Sequence, residues 1–141
     1  MVQLIVGAKG KGKTKVLLDS VNSAIKEASG SIVYLDKSSK HMYELSNKVR
    51  LIDLSIFPVR NNDEFIGFIC GIISQDHDLE KMYLDSFLKL ARIQDEPGLI
   101  ERTVRKLDEI STQFNVDFIL SVSMDKEMLP EGLKDMVSTA L

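Results

Sequence analysis

Apolar positions along the chain fall into two rhythms. Val2-Gln3-Leu4-Ile5-Val6, Ser31-Ile32-Val33-Tyr34-Leu35, Val49 to Leu54, Lys81 to Asp85 and Val116 to Ser123 are short runs, mostly apolar and rich in β-branched residues, with polar residues at their ends. That is the pattern of strands buried on both faces of a sheet. Between them the spacing changes to three and four. Thr14, Leu17, Leu18, Val21, Ala24, Ile25 and Ala28 form one stripe, with Gly30 as the expected stop, and Ile100, Val104, Leu107, Ile110 or Ser111, and Phe114 form another behind Pro97. Asn61 with Glu64 three residues on has the form of a capping box, and Phe65 to Ile73 continues apolar nearly all round, predicting a helix buried against the sheet. Pro130 and Glu131 are expected to open a last helix carrying Leu133, Met136, Val137 and Ala140. Lys40 to Lys48 fits a short strand or a helical turn equally well.

Continuous apolar strands alternating with helices imply a three-layer α/β/α sandwich with a mostly parallel sheet of about five strands. A chain of 141 residues accommodates one such core, so a single domain over residues 1–141 is expected. A formal charge of −3 argues against broad nucleic-acid binding but leaves room for a local basic patch at Lys9, Lys11, Lys13 and Lys15. The longest apolar stretch, residues 65–73, is well under the roughly 20 residues that span a bilayer. With no signal-peptide pattern ahead of the first strand, a cytoplasmic protein without a membrane span is expected. The lone Cys70 lies in that apolar stretch and reads as a buried structural thiol.

The chemistry concentrates between the first strand and the first helix. Gly7-Ala8-Lys9-Gly10-Lys11-Gly12-Lys13-Thr14 matches G-x-x-x-x-G-K-[ST], the phosphate-binding loop, at every fixed position, in the strand-loop-helix context that the motif requires. Glycines let the backbone curl so that successive N–H groups surround a polyphosphate. Lys13 supplies a mobile charge for the β and γ phosphates, and Thr14 offers its hydroxyl to Mg²⁺. Lys15 and the helix N-terminus add positive potential at the same end. The candidate nucleotide-binding residues are therefore Gly7, Ala8, Lys9, Gly10, Lys11, Gly12, Lys13, Thr14 and Lys15.

On these residues the chain resembles the P-loop NTPase superfamily, and it is also similar to small bacterial ATP-binding proteins labelled PilT-like. The resemblance implies ATP and Mg²⁺ as ligands, and a second metal-holding carboxylate at the end of another strand. Asp36, Asp53 and Asp85 each end an apolar strand, and periodicity does not choose among them. The RecA-like order of elements favours Asp85, with Ser121 and Ser123 as candidate sensors of the γ-phosphate. Many RecA-like members that hydrolyse ATP have a glutamate after the metal aspartate, whereas position 86 here is Ser, which puts hydrolysis in doubt. Asn47-Lys48-Val49-Arg50 fails the guanine-reading N-K-x-D pattern at its last position, and Asp95-Glu96-Pro97-Gly98 matches D-x-x-G without a strand leading into it. Partition-type ATPases have an extra lysine where this chain has Ala8.

The function expected is an Mg-ATP-binding domain, at most a slow ATPase, acting as a nucleotide-dependent switch for a protein partner or a homo-oligomer. A small-molecule or nucleotide kinase is the alternative, with Arg92, Arg102 and Arg105 as candidate lid residues, and a non-catalytic module with structural nucleotide is a third. Asp76-His77-Asp78 reads as a polar loop rather than a metal site.

Overall fold

The computed structural model describes residues Met1–Leu141. Its centre is a six-stranded sheet in the order β3-β2-β4-β5-β1-β6, built from β1 (Val2–Gly7), β2 (Ser31–Asp36), β3 (Arg50–Asp53), β4 (Leu79–Leu84), β5 (Asp117–Ser123) and β6 (Val137–Ala140). Every strand pair is parallel. The helices are α1 (Lys13–Glu27), α2 (Asn62–Ser74), the one-turn α3 (Phe87–Leu90) and α4 (Ile100–Phe114). None is long and apolar enough to cross a membrane.

Because strand side chains alternate between faces, the apolar strands feed two separate cores. Ile5, Ile32, Tyr34, Tyr83 and Ile119 point toward α1 and pack with its Leu17, Leu18, Val21 and Ile25. Their neighbours Leu4, Val6, Val33, Leu35, Met82, Leu84, Phe118 and Leu120 pack with α2, α3 and α4 on the opposite face. Leu17 and Val21 are wholly buried, and each contributes roughly 1.5–3 kcal/mol of transfer free energy. Propensity differences among ordinary helix residues are smaller, up to about 0.7 kcal/mol, so packing on the sheet holds α1 in place. The consequence is positional: the start of α1 is pinned above the ends of β4 and β5.

Several local expectations are corrected. Residues 131–140 do not form a helix: a 3-10 segment, Glu131–Met136, is followed by strand β6 along the outer edge of β1. Leu133 is buried as the spacing implied, but Val137-Ser138-Thr139 has strand propensity. Pairing there satisfies edge groups of β1, with Leu141 N donating to Val6 O at 2.9 Å. The sheet therefore has six strands rather than about five. Helix α2 buries one face only, through Phe65, Ile69, Ile72 and Ile73, while Gly67 and Gly71 lie in solvent and Cys70 is half-buried. Its cap is offset by one residue. Asn61 Oδ1 accepts from Glu64 N at 2.8 Å, and the Glu64 carboxylate takes the amide of Arg60 at 2.7 Å instead of that of Asn61. Phe114, the last member of the α4 stripe, is about half exposed.

Gly30 is not a left-handed helix stop. Helix α1 ends at Glu27 with Ala28 extended, and Gly30 allows a close approach instead, because a Cβ there would stand 1.9 Å from Asp78 O. Asp76 is likewise occupied structurally, accepting from Ser31 Oγ and the Asp78 amide. Residues 40–48 contain a single 3-10 turn, Met42–Glu44, latched to α1 by Asn22 through Glu44 O at 2.8 Å and Ser46 N at 2.9 Å.

Candidate functional site

The C-terminal ends of β1, β5, β4 and β2 open into a cavity of about 400 Å³, lined on one side by the Gly7–Thr14 loop. Open parallel sheets bind ligands at this edge, because helix N-termini and loops converge there. Gly10 and Gly12 have left-handed backbone, φ 88° and 95°, and nothing lies within 4 Å of where a Cβ would stand on either. Glycine is thus required by conformation rather than by space. The main-chain N–H groups of Lys9, Gly10, Gly12, Lys13, Thr14 and Lys15 take no partner within the protein, and no side chain caps α1. Such a run of free donors at a helix start is a concave anion cradle.

Lys13 closes the cradle. Its Nζ donates to Gly7 O at 2.8 Å and Ala8 O at 3.1 Å, leaving one of its three hydrogens for a ligand. Burial pushes the ammonium below its ordinary range, and the Asp85 carboxylate opposes that shift.

Asp85, the residue after β4, is a hub. Its Oδ1 accepts from Ser121 Oγ at 2.8 Å and Thr14 Oγ1 at 3.3 Å, and its Oδ2 accepts from Tyr34 OH at 2.9 Å. Ser121 in turn accepts from the Ser86 amide at 2.8 Å, which fixes the turn out of β4, where Ser86 has a left-handed φ of 59°. Burial, followed by the adjacent Asp85 charge, pushes the Tyr34 phenol above its ordinary range, so it stays a neutral donor.

Of the three strand-end aspartates, only Asp85 lines the cavity. Asp36 is buried, with Oδ1 held by the Lys37 amide at 2.7 Å and Oδ2 without a partner. Burial and then the Asp85 charge push its carboxyl up to about 6. Asp53 turns away, accepting from Ser55 N at 2.9 Å and Ser55 Oγ at 2.6 Å on the edge of the sheet that β3 forms. Ser121 and Ser123 both reach the cavity. Lys11 is exposed outside it, and Lys15 pairs with Asp19 at 3.1 Å on the solvent face of α1. Arg92 donates to Val59 O and Lys89 O and does not line the cavity, while Arg102 and Arg105 are exposed on α4.

The oxygens of Thr14 and Asp85 form a hard pair suited to Mg²⁺, since the hydroxyl that donates to Asp85 can rotate and present a lone pair. No group of three or more His, Cys, Asp or Glu side chains is placed to hold a metal by itself, so a cation here would take further oxygens from its ligand and from water, as Mg²⁺ commonly does.

Sequence reasoning missed Tyr34, Lys37, Lys89 and Gln94, all of which belong to the site or its support. A signal for Tyr34 existed, because a phenol inside an apolar strand needs a hydroxyl partner. Lys37 and Lys89 follow the ends of β2 and β4, the edge where parallel sheets bind ligands, but the adjacency of those strands was not readable.

No protein-family model matches the chain, and no curated protein matches it.

Proposed function

We propose that the chain is an Mg-ATP-binding domain of the P-loop NTPase type, RecA-like in its order of elements, in which the loop from Gly7 to Thr14 grips the triphosphate. The observation that carries this reading is the coincidence at one cavity of a full G-x-x-x-x-G-K-[ST] sequence, left-handed glycines, unpaired amides and Asp85 against Thr14. The strand order supports it further. The strand before Asp85 is separated from β1 by β5, which ends in the pocket-lining Ser121 and Ser123.

In this reading the loop amides and Lys13 bind the phosphates, while Thr14 and Asp85 hold the magnesium. The ion, when bound, would neutralise charge between the β and γ phosphates. Tyr34 and Ser121 hold the Asp85 carboxylate in one orientation, and Ser121 passes any movement of that carboxylate to the Ser86 amide and so to α3. Ser86 follows Asp85 where a water-aligning glutamate would stand, so turnover is slow and the nucleotide acts chiefly as a switch read by a partner protein or a second copy.

Calorimetric titration of ATP with and without Mg²⁺ into the wild-type protein and Lys13→Ala tests it. Binding to the wild type and loss of at least a hundred-fold in affinity in the variant are expected. Equal affinities in the two proteins would overturn the assignment.

A further inference from the structure

The cavity contains more positive charge than the cradle uses. Lys9, Lys13, Lys37 and Lys89 line it against one carboxylate, Asp85, in a chain whose net charge is −3. Lys13 is committed to the loop. The other three come from three different segments: the β1–α1 loop, the residue after β2, and α3. None of the three belongs to any salt bridge of the molecule, and none of their ammonium groups donates a hydrogen bond to a protein acceptor. Asp36, next in sequence to Lys37, takes its main-chain amide and is buried below.

These lysines are also close together. The Lys37 ammonium, in side-chain contact, and then Lys9 push the Lys89 ammonium below its ordinary range. Like charges on long, mobile side chains separate in water unless something between them rewards the approach, and three loops converging on one cavity hold them near. Gln94 and Ser123 add neutral hydrogen-bonding groups to the same cavity. The Lys37 end is displaced from the cradle: β2 and β1 are separated by β4 and β5, three strand spacings or roughly 14 Å.

We infer that the ammonium groups of Lys9, Lys37 and Lys89 form a second anion site in this cavity, built for a phosphate-type dianion and distinct from the main-chain amides and Lys13 that make up the cradle. The dianion is either the terminal phosphate of a bound nucleotide or the phosphate of a second small molecule lying beside it. It shares a cavity with the nucleotide reading, but its first test contains no nucleotide, so the two stand or fall separately.

Orthophosphate is titrated into the wild type, Lys13→Ala and the double variant Lys37→Gln/Lys89→Gln, with binding followed by phosphorus NMR and folding checked by circular dichroism. Both lysines of the double variant are exposed, so it folds. Binding that survives Lys13→Ala and weakens at least ten-fold in the double variant is expected. Loss in Lys13→Ala with full retention in the double variant overturns the inference, as does no phosphate binding by the wild type. A second arm identifies the source. If the double variant loses ten-fold in ATP affinity and less than two-fold in ADP affinity, the site reads the terminal phosphate of the nucleotide. If both nucleotide affinities hold while orthophosphate binding to the ADP complex falls ten-fold, it serves a second molecule. If neither changes, the site does not exist.

Discussion

The Thr14 hydroxyl donates to Asp85 Oδ1 at 3.3 Å, tying the first turn of α1 to the residue that ends β4 across 71 positions of chain. That contact places the end of the Gly7–Thr14 loop against a carboxylate that two further donors, Ser121 and Tyr34, already orient. A cation entering here would meet a preformed pair of oxygens, with little left to reorganise.

Asp85→Asn is expected to retain magnesium-free ATP binding within a few-fold and to lose most of the gain that Mg²⁺ confers. The amide presents one acceptor oxygen where the carboxylate presents two, so one of the donors aimed at it loses its partner, at a cost of about 1–3 kcal/mol in stability. ATP titrations at several Mg²⁺ concentrations check this, and an unchanged magnesium dependence would remove Asp85 from the proposed metal site.

Tyr34→Phe deletes one hydroxyl and leaves Asp85 Oδ2 buried without that donor. A loss of about 1–3 kcal/mol is expected in urea unfolding, with the slope against denaturant unchanged. The stacked Tyr34 and Tyr83 rings, 6.3 Å apart, keep their contact in the variant, so a loss well below that range would mean that the hydroxyl contributes little to holding Asp85.

Asp36 gives the ligand-free protein a pH signature. Its folded carboxyl holds a proton up to about pH 6, against an ordinary value of 3.8. Between those values the folded state binds more protons than the unfolded one, so stability falls as pH rises through that window. Asp36→Asn, whose amide oxygen can still accept from the Lys37 N–H, should abolish this slope. Relative to the wild type it should melt roughly 3–10 °C higher at pH 7.5 and near the wild-type temperature at pH 4. Equal differences at the two pH values would contradict the assignment.

Gly67→Ala and Gly71→Ala should each stabilise the protein. Both glycines lie within α2, exposed, with nothing within 4 Å of an added Cβ and no left-handed backbone. Helix propensity favours alanine by about 0.8–1.0 kcal/mol, which thermal melts resolve. Gly12→Ala offers the contrast. Its surroundings are equally open but its φ is 95°, so the same added methyl should strain the loop and weaken anion binding.

Much of the fold was legible because the chain states it locally. Five strands, the stripes of α1 and α4, and the Asn61 cap follow from periodicity and capping chemistry, and the loop from Gly7 to Thr14 is a contiguous motif whose conformation its own glycines permit. The last segment was misread because Leu133, Met136, Val137 and Ala140 fit a helical spacing while Val137 to Thr139 favour a strand. Only the open edge of β1 decides between the two.

The sequence by itself determined an alternation of buried strands and amphipathic helices, and a loop whose glycines and lysine suit it to phosphate. Tertiary structure alone decided which of the three strand-end aspartates meets that loop, because the choice depends on which strands are neighbours. It also decided that Tyr34, Lys37 and Lys89 gather around the same cavity. Hydrogen bonds and like-charge contacts act over a few ångströms of space, and no short-range pattern along a chain records which of its distant segments the sheet will bring that close.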